Sequence, residues 1–298
     1  MKKILYGAMY SFKEIKNTKI FYSFLIFALI LISGSYFVSQ TSFINQGRIM
    51  VDFSIFAISI FNIFIGIFIG VSIVYDDIEK KSIFLTITRP LKRAEYLTGR
   101  FLGLVVAIIF STIIMMLIFY FVLLIMHKFI VPVTVNAKAA TIISHIQHKS
   151  IKSTFTLYSL PQPLMIQALF IIIESVFISA VALLFSLITS KALALVFTIL
   201  VFFIGNVSGR MNDLIRPVKK IINGKVLILH QANHTLTEVV HFIYTVLPNF
   251  RVFNISSEVA YKISISGWTI FYRIIYGISY AVLLFIIASL IFNRKDIS

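Results

Sequence analysis

One glutamate, Glu174, stands in the middle of an apolar run from 164 to 188. An ionised carboxylate at that depth costs about 2.5–3.5 kcal/mol even on lenient insertion scales, so Glu174 must face protein or a water-filled cavity. Two roles fit it: a group on a substrate or ion path, or a helix–helix hydrogen bond inside the bundle. A second constellation has the residue types of a metal site. On a helix, His230, His234, Glu238 and His241 fall within about 80° of one another at about 100° per residue, and imidazole nitrogens with a carboxylate suit Zn or Cu. Leu229, Leu236, Val240, Ile243 and Leu247 fill the opposite face. The same pattern therefore describes the wet side of a surface-parallel amphipathic helix over 226–247, which is the preferred reading. With no cysteine in 298 residues, disulfides, thiolate metal sites and cysteine nucleophiles are excluded. There is no H-E-x-x-H and no Ser-His-Asp arrangement. Nor is there a G-x-x-x-x-G-K-[ST] loop to cradle phosphates, so the chain is not expected to be an enzyme or to bind a cofactor itself.

A third set of residues suits recognition of a protein. The segment 76–100 is charged at both ends, with Asp76, Asp77, Glu79, Lys80 and Lys81 before Ser82 and with Lys92, Arg93 and Arg100 near its close. Between them lie Ile83, Phe84, Leu85 and Ile87. Arg89-Pro90 predicts a turn, because the residue before proline is pushed out of the helical region. A short helix carrying Tyr96 then feeds the next apolar run through Gly99 and Gly103. An apolar patch framed by charge suits the docking of a soluble partner, and a plain solvated loop shares the pattern. Upstream, Gly66 and Gly70 have the G-x-x-x-G spacing that lets two helices approach closely, within the chain or between copies.

The elements that must position these residues follow from composition. Hydrophobic residues make up 59% of the chain and charged ones 13%, with a mean hydropathy of +0.97. Soluble domains hold roughly 45–50% and 25%, so lipid is the solvent here. Apolar runs at 20–38, 53–75, 101–126, 164–188, 192–208 and 269–292 predict six transmembrane helices, the fourth and fifth joined by a tight turn at Thr189-Ser190-Lys191. The fold class is an all-α polytopic membrane protein, with residues 1–298 as one transmembrane domain. Residues 1–19 spread five lysines through an amphipathic pattern with Ile4, Leu5, Ala8, Met9, Phe12 and Ile15 on one face. They read as a helix on the membrane surface and not as a cleaved leader.

Of the 27 Lys and Arg residues, 14 lie in 1–19, 76–100, 189–191 and 293–298, which places those segments and both termini in the cytoplasm. Arg210, Arg216, Lys219, Lys220 and Lys225 fall in a long outer segment, where charges weigh little in that rule. The outer segments 127–163 and 209–268 read as re-entrant or interfacial helices. A net charge of +16 is placed against anionic headgroups at the cell (cytoplasmic) membrane, and no motif points to nucleic acid.

The segment after the second run also resembles the signature stretch of the ABC-2-type permeases, closest to the NosY-like members. The resemblance rests on Glu79, Lys80-Lys81-Ser82, Phe84-Leu85, Arg89-Pro90, Arg93, Tyr96 and Gly99-Arg100-Phe101-Leu102-Gly103. Leu247-Pro248-Asn249-Phe250-Arg251-Val252-Phe253-Asn254 is similar to that family's P-N-x-x-x-F segment, and Phe292-Asn293-Arg294-Lys295-Asp296 to its closing F-x-R-R-D. Lys80-Lys81-Ser82 stands where the family often has Arg-Thr. The resemblance implies a half-transporter that pairs with a second permease, a copy or a paralogue. It also implies a separate ABC ATPase subunit that carries ATP and Mg. The 1–19 helix would be an elbow helix and 76–100 the coupling loop, with Glu79, Ser82, Phe84, Leu85, Arg89, Pro90, Arg93 and Tyr96 transmitting ATPase motion. The rival expectation is an ion-coupled secondary transporter using Glu174, although no inverted repeat accompanies it.

Overall fold

A computed structural model of the chain describes residues 2–40, 46–79, 93–130, 161–215, 219–222, 225–228, 238, 248–256, 258 and 265–294. The main elements are α1 (Lys2–Lys16), α2 (Lys19–Ser39), α3 (Gln46–Glu79), α4 (Arg93–Ile130), α5 (Pro161–Ile188), α6 (Lys191–Ile215) and α7 (Gly267–Arg294). Five of them (α2, α3, α4, α5 and α7) are long and apolar enough to cross a membrane, and α6 contributes a shorter apolar stretch, Lys191–Val207. Helix is the form that satisfies every backbone group within the segment when no water is present. At 34 and 38 residues, α3 and α4 reach about 51 and 57 Å, well beyond the roughly 30 Å of hydrocarbon. Their surplus length carries charge past the apolar layer.

Contacts between neighbours fix the helix directions. Asn62 and Asp77 of α3 meet Ser111 and Tyr96 of α4, so these two run antiparallel. Gly66 and Gly70 of α3 lie against Ser175, Ser179 and Ala182 of α5, and Phe170 and Phe177 of α5 meet Arg273 and Tyr280 of α7, so those pairs run parallel. Phe24 and Phe27 of α2 meet Phe68 and Phe61 of α3, so that pair runs antiparallel. The ends Lys19, Glu79, Arg93, Ile188, Lys191 and Arg294 therefore gather at one end of the bundle. Helices α3 and α5 form its centre, with 67% of each span buried against 17% for α7.

Gly66 and Gly70 face inward. A methyl group on Gly66 would sit 2.9 Å from the Ser175 carbonyl, and one on Gly70 would sit 3.1 Å from the Ala182 methyl. The Ser111 hydroxyl donates to Asn62 Oδ1 at 2.5 Å, joining α3 to α4 within the apolar layer. The chain turns at Thr189-Ser190, where the Thr189 N–H bonds the Phe185 carbonyl at 2.9 Å.

Four expectations change. First, α4 is one continuous helix from Arg93, without a separate helix before Gly99, and α1 packs along it from Gly99 to Phe110. Second, α1 does not present one apolar face to one environment. Ala8, Ser11 and Ile15 are buried while Leu5 and Met9 are exposed. The buried stripe is the one with small residues, because Gly7 and Gly99 come into contact and Gly103 admits Ser11. Third, the segment 209–268 is not wholly helical. Beyond the end of α6, β1 (Lys219–Ile222) and β2 (Lys225–Ile228) pair antiparallel, with Lys219 opposite Ile228. That hairpin takes Val226–Ile228 out of the helix expected over 226–247, while the architecture stays helical as expected. Fourth, residues 250–253 form a single 3₁₀ turn folded back into the bundle.

Candidate functional site

The segment 76–100 is built from the two protruding helix ends. Its first four residues, 76–79, close α3, and 93–100 open α4. Ser82, Phe84, Leu85, Arg89 and Pro90 lie outside the described residues. Asp76 and Asp77 occupy the last turn of α3 and Glu79 ends it, exposed. On α4, Tyr96 and Arg100 are one turn apart and so share a face.

Arg100 is the centre of this end. Its side chain is only 9% exposed, and its guanidinium forms ion pairs with Glu14 of α1 and Asp77 of α3. The Arg100 Nε donates to the Tyr96 hydroxyl at 3.1 Å, and that hydroxyl donates to Asp77. The rings of Tyr10 and Tyr96 flank the cation at 5.8 and 5.6 Å. Tyr96 also stacks on Phe292 of α7 with centroids 6.2 Å apart, and Arg93 donates to the Asn293 carbonyl at 3.4 Å. Beside this cluster Lys191, at the start of α6, bonds Asp76 at 2.6 Å. Both stems of the segment 80–92 are thus tied by side chains to α1, α6 and α7.

The two kinds of ion pair carry different weight. Of these pairs only Arg100–Asp77 is buried on both sides, at 9% and 13% exposure. Removing one partner of such a pair costs about 3–5 kcal/mol, because the other charge stays buried and uncompensated. Glu14, 47% exposed, adds little. Lys191 and Asp76 are 40% and 34% exposed, where solvent screening leaves about 0–1 kcal/mol. Arg100 therefore carries the joint.

Glu174 lies on a second feature, toward the opposite end. Gln167, Phe170, Glu174 and Phe177 form one stripe of α5, and residues 248–256 lie along it. The Gln167 Oε1 accepts the Ile255 N–H at 3.1 Å, Phe170 meets Phe253 at 6.5 Å and Phe177 meets Phe250 at 4.9 Å. Glu174 sits between the two phenylalanines of α5 and is 7% exposed. No hydrogen bond or ion pair to its carboxyl group is seen among the described residues. On α7, Arg273 lies over the Phe170 ring at 6.0 Å, and its Nη1 is buried without a hydrogen-bond partner among the described residues.

Of the metal-site candidates, Glu238 is helical and exposed, while His230, His234 and His241 lie outside the described residues. Sequence reasoning missed three participants. Glu14 and Asp77 give no local sign of meeting Arg100, which is 86 and 23 positions away. Arg273 does give a sign, as an arginine within the last apolar run.

These features define a multi-pass helical membrane protein with a braced, charged end and an aromatic-filled one. No protein-family model matches the chain, and no curated protein sequence matches it.

Proposed function

We propose that this chain is the membrane-spanning permease subunit of an ATP-driven ABC exporter of the ABC-2 type. With α6 counted as a crossing, six spans put both termini and the segment 76–100 on one side, and the basic residues favour the cytoplasm of a cell-membrane protein for that side. Two such subunits pair in the membrane, and separate ATPase subunits carry ATP and Mg. α1 is the elbow helix at the headgroups, its lysines toward anionic lipid.

The observation that carries this reading is the Arg100 cluster. A docked motor must move several helices through one loop, and both stems of 80–92 are braced here to α1, α6 and α7. Glu79, Ser82, Phe84, Leu85, Arg89, Pro90, Arg93 and Tyr96 are then the residues that receive ATPase motion. The clustering of 14 of 27 basic residues in the segments assigned to that side supports the orientation.

The test is purification of the intact transporter with its ATPase. Phe84→Asp is expected to release the ATPase, or to leave ATP turnover without transport, while the permease still inserts. Retention of the ATPase with transport intact overturns the docking assignment. A second reading, an ion-coupled carrier, draws on the buried Glu174 alone. Transport lost in Glu174→Gln and indifferent to ATP would favour it.

A further inference from the structure

The segment Pro248–Ile255 fills the α5–α6–α7 cleft away from the Arg100 end, and it is built differently from everything around it. Its apolar side chains Phe250, Phe253 and Ile255 are fully buried, while Arg251 and Asn254 between them are exposed. Phe250 reaches Phe177 of α5 and Phe202 of α6, at 4.9 and 5.9 Å between centroids. Phe253 reaches Phe170 of α5 and Tyr276 of α7, at 6.5 and 6.1 Å.

Two glycines are the seats for these rings. A methyl group on Gly205 would collide with the Phe250 ring and the Pro248 carbonyl, and one on Gly277 would collide with Ile173 and the Phe253 ring. Both lie in apolar helices where glycine costs stability relative to alanine, so the notch explains their place.

The segment is held to the helices by side chains. The Gln167 Oε1 accepts the Ile255 N–H at 3.1 Å, and the Tyr276 hydroxyl accepts the Asn249 N–H at 3.0 Å. Within the segment, the Asn249 side chain accepts the Arg251 N–H at 3.0 Å and so caps the 3₁₀ turn. Among the described residues these hydrogen bonds, the two seated rings and the buried Ile255 hold a piece that can leave without unwinding any long helix.

Beneath it lies Glu174. The rings one turn before and after it on α5, Phe170 and Phe177, are the ones covered by Phe253 and Phe250. We propose that Pro248–Ile255 is a removable plug that closes the cleft away from the Arg100 end and occludes Glu174, and that its release opens Glu174 to water on that side. Its role as an exit gate rests on the exporter reading; the plug itself does not.

The chain has no cysteine, so a single reporter thiol is unambiguous. Glu174→Cys in the full chain, in sealed cells, is treated from outside with a membrane-impermeant methanethiosulfonate. With the plug intact, labelling is expected to be slow. Adding Gln167→Ala and Tyr276→Phe removes the hydrogen bonds to Ile255 and Asn249, which should raise the rate about tenfold or more, as expected for two lost hydrogen bonds. Gly205→Ala, which pushes Phe250 from its seat, should raise it independently should the double variant fail to accumulate. Ile173→Cys serves as a second reporter should Glu174→Cys not insert. Fast labelling with the plug intact overturns the proposal, and so does a rate unchanged by both sets of substitutions. The same labelling in inside-out vesicles covers the opposite orientation, and because it needs neither ATP nor transport its outcome is separable from that of the exporter reading.

Discussion

The two ends of the bundle are closed by different physics. At one, a buried guanidinium gathers carboxylates from α1 and α3, and tyrosines from α1 and α4, into one joint. At the other, two phenylalanines rest in glycine notches and two side-chain-to-backbone hydrogen bonds hold them there. The first kind of closure is costly to break in part, because any missing partner strands a charge. The second strands no charge when one contact is lost, so it can be undone in smaller steps. On the proposed exporter reading, the first end would receive force and the second would yield to it.

The contrast can be broken by substitution, and the largest effect is expected at Arg100. Arg100→Ala leaves Asp77 and Tyr96 without their cation and should cost about 3–5 kcal/mol, read as a lowered unfolding midpoint in detergent. Arg100→Lys keeps the charge but not the fork that reaches both carboxylates and Tyr96, and should recover only part of that loss. A loss below about 1 kcal/mol for Arg100→Ala would mean that the joint is ornamental.

At the far end, Gln167→Ala leaves the buried Ile255 N–H unsatisfied, for a cost of about 1–3 kcal/mol by the same measurement. The smallest effect is expected from Lys191→Ala. Its pair with Asp76 is partly solvated, so the change should be about 0–1 kcal/mol and should shrink further in high salt. If Lys191→Ala costs as much as Arg100→Ala, the α3–α6 contact braces this end as strongly as the Arg100 joint does.

Much of the scaffold was legible because lipid imposes a crude rule. Eighteen or more apolar residues must be helix, and five such helices stand where the hydropathy places them. The turn at Thr189-Ser190 was legible for the same reason, since one helix through 164–208 would overshoot any bilayer. The face of α1 was not. Periodicity pools Leu5 and Met9 with Ala8 and Ile15, and only the glycines of a distant helix decide which stripe meets protein. Nor was the joint, because Arg100 reads locally as one more basic residue in a charged segment until Glu14 and Asp77 are brought to it. The motif at Pro248–Asn254 could be noticed, but not its depth: Phe250 and Phe253 reveal that only through Gly205 and Gly277. The hairpin at 219–228 escaped because its Lys-Lys-Ile-Ile and Lys-Val-Leu-Ile strands are too short to show a period of two.

The claim on which the rest depends is that the Arg100 end faces the cytoplasm, where an ATPase could reach it. Single cysteines at Ser82, Asn136 and Ser257 place one thiol on the loop between α3 and α4 and two on the segments of the other side. A membrane-impermeant thiol reagent applied to sealed cells is expected to label Asn136→Cys and Ser257→Cys and to spare Ser82→Cys until the membrane is opened. Labelling of Ser82→Cys alone in intact cells would invert the molecule, put the charged joint outside, and contradict the account.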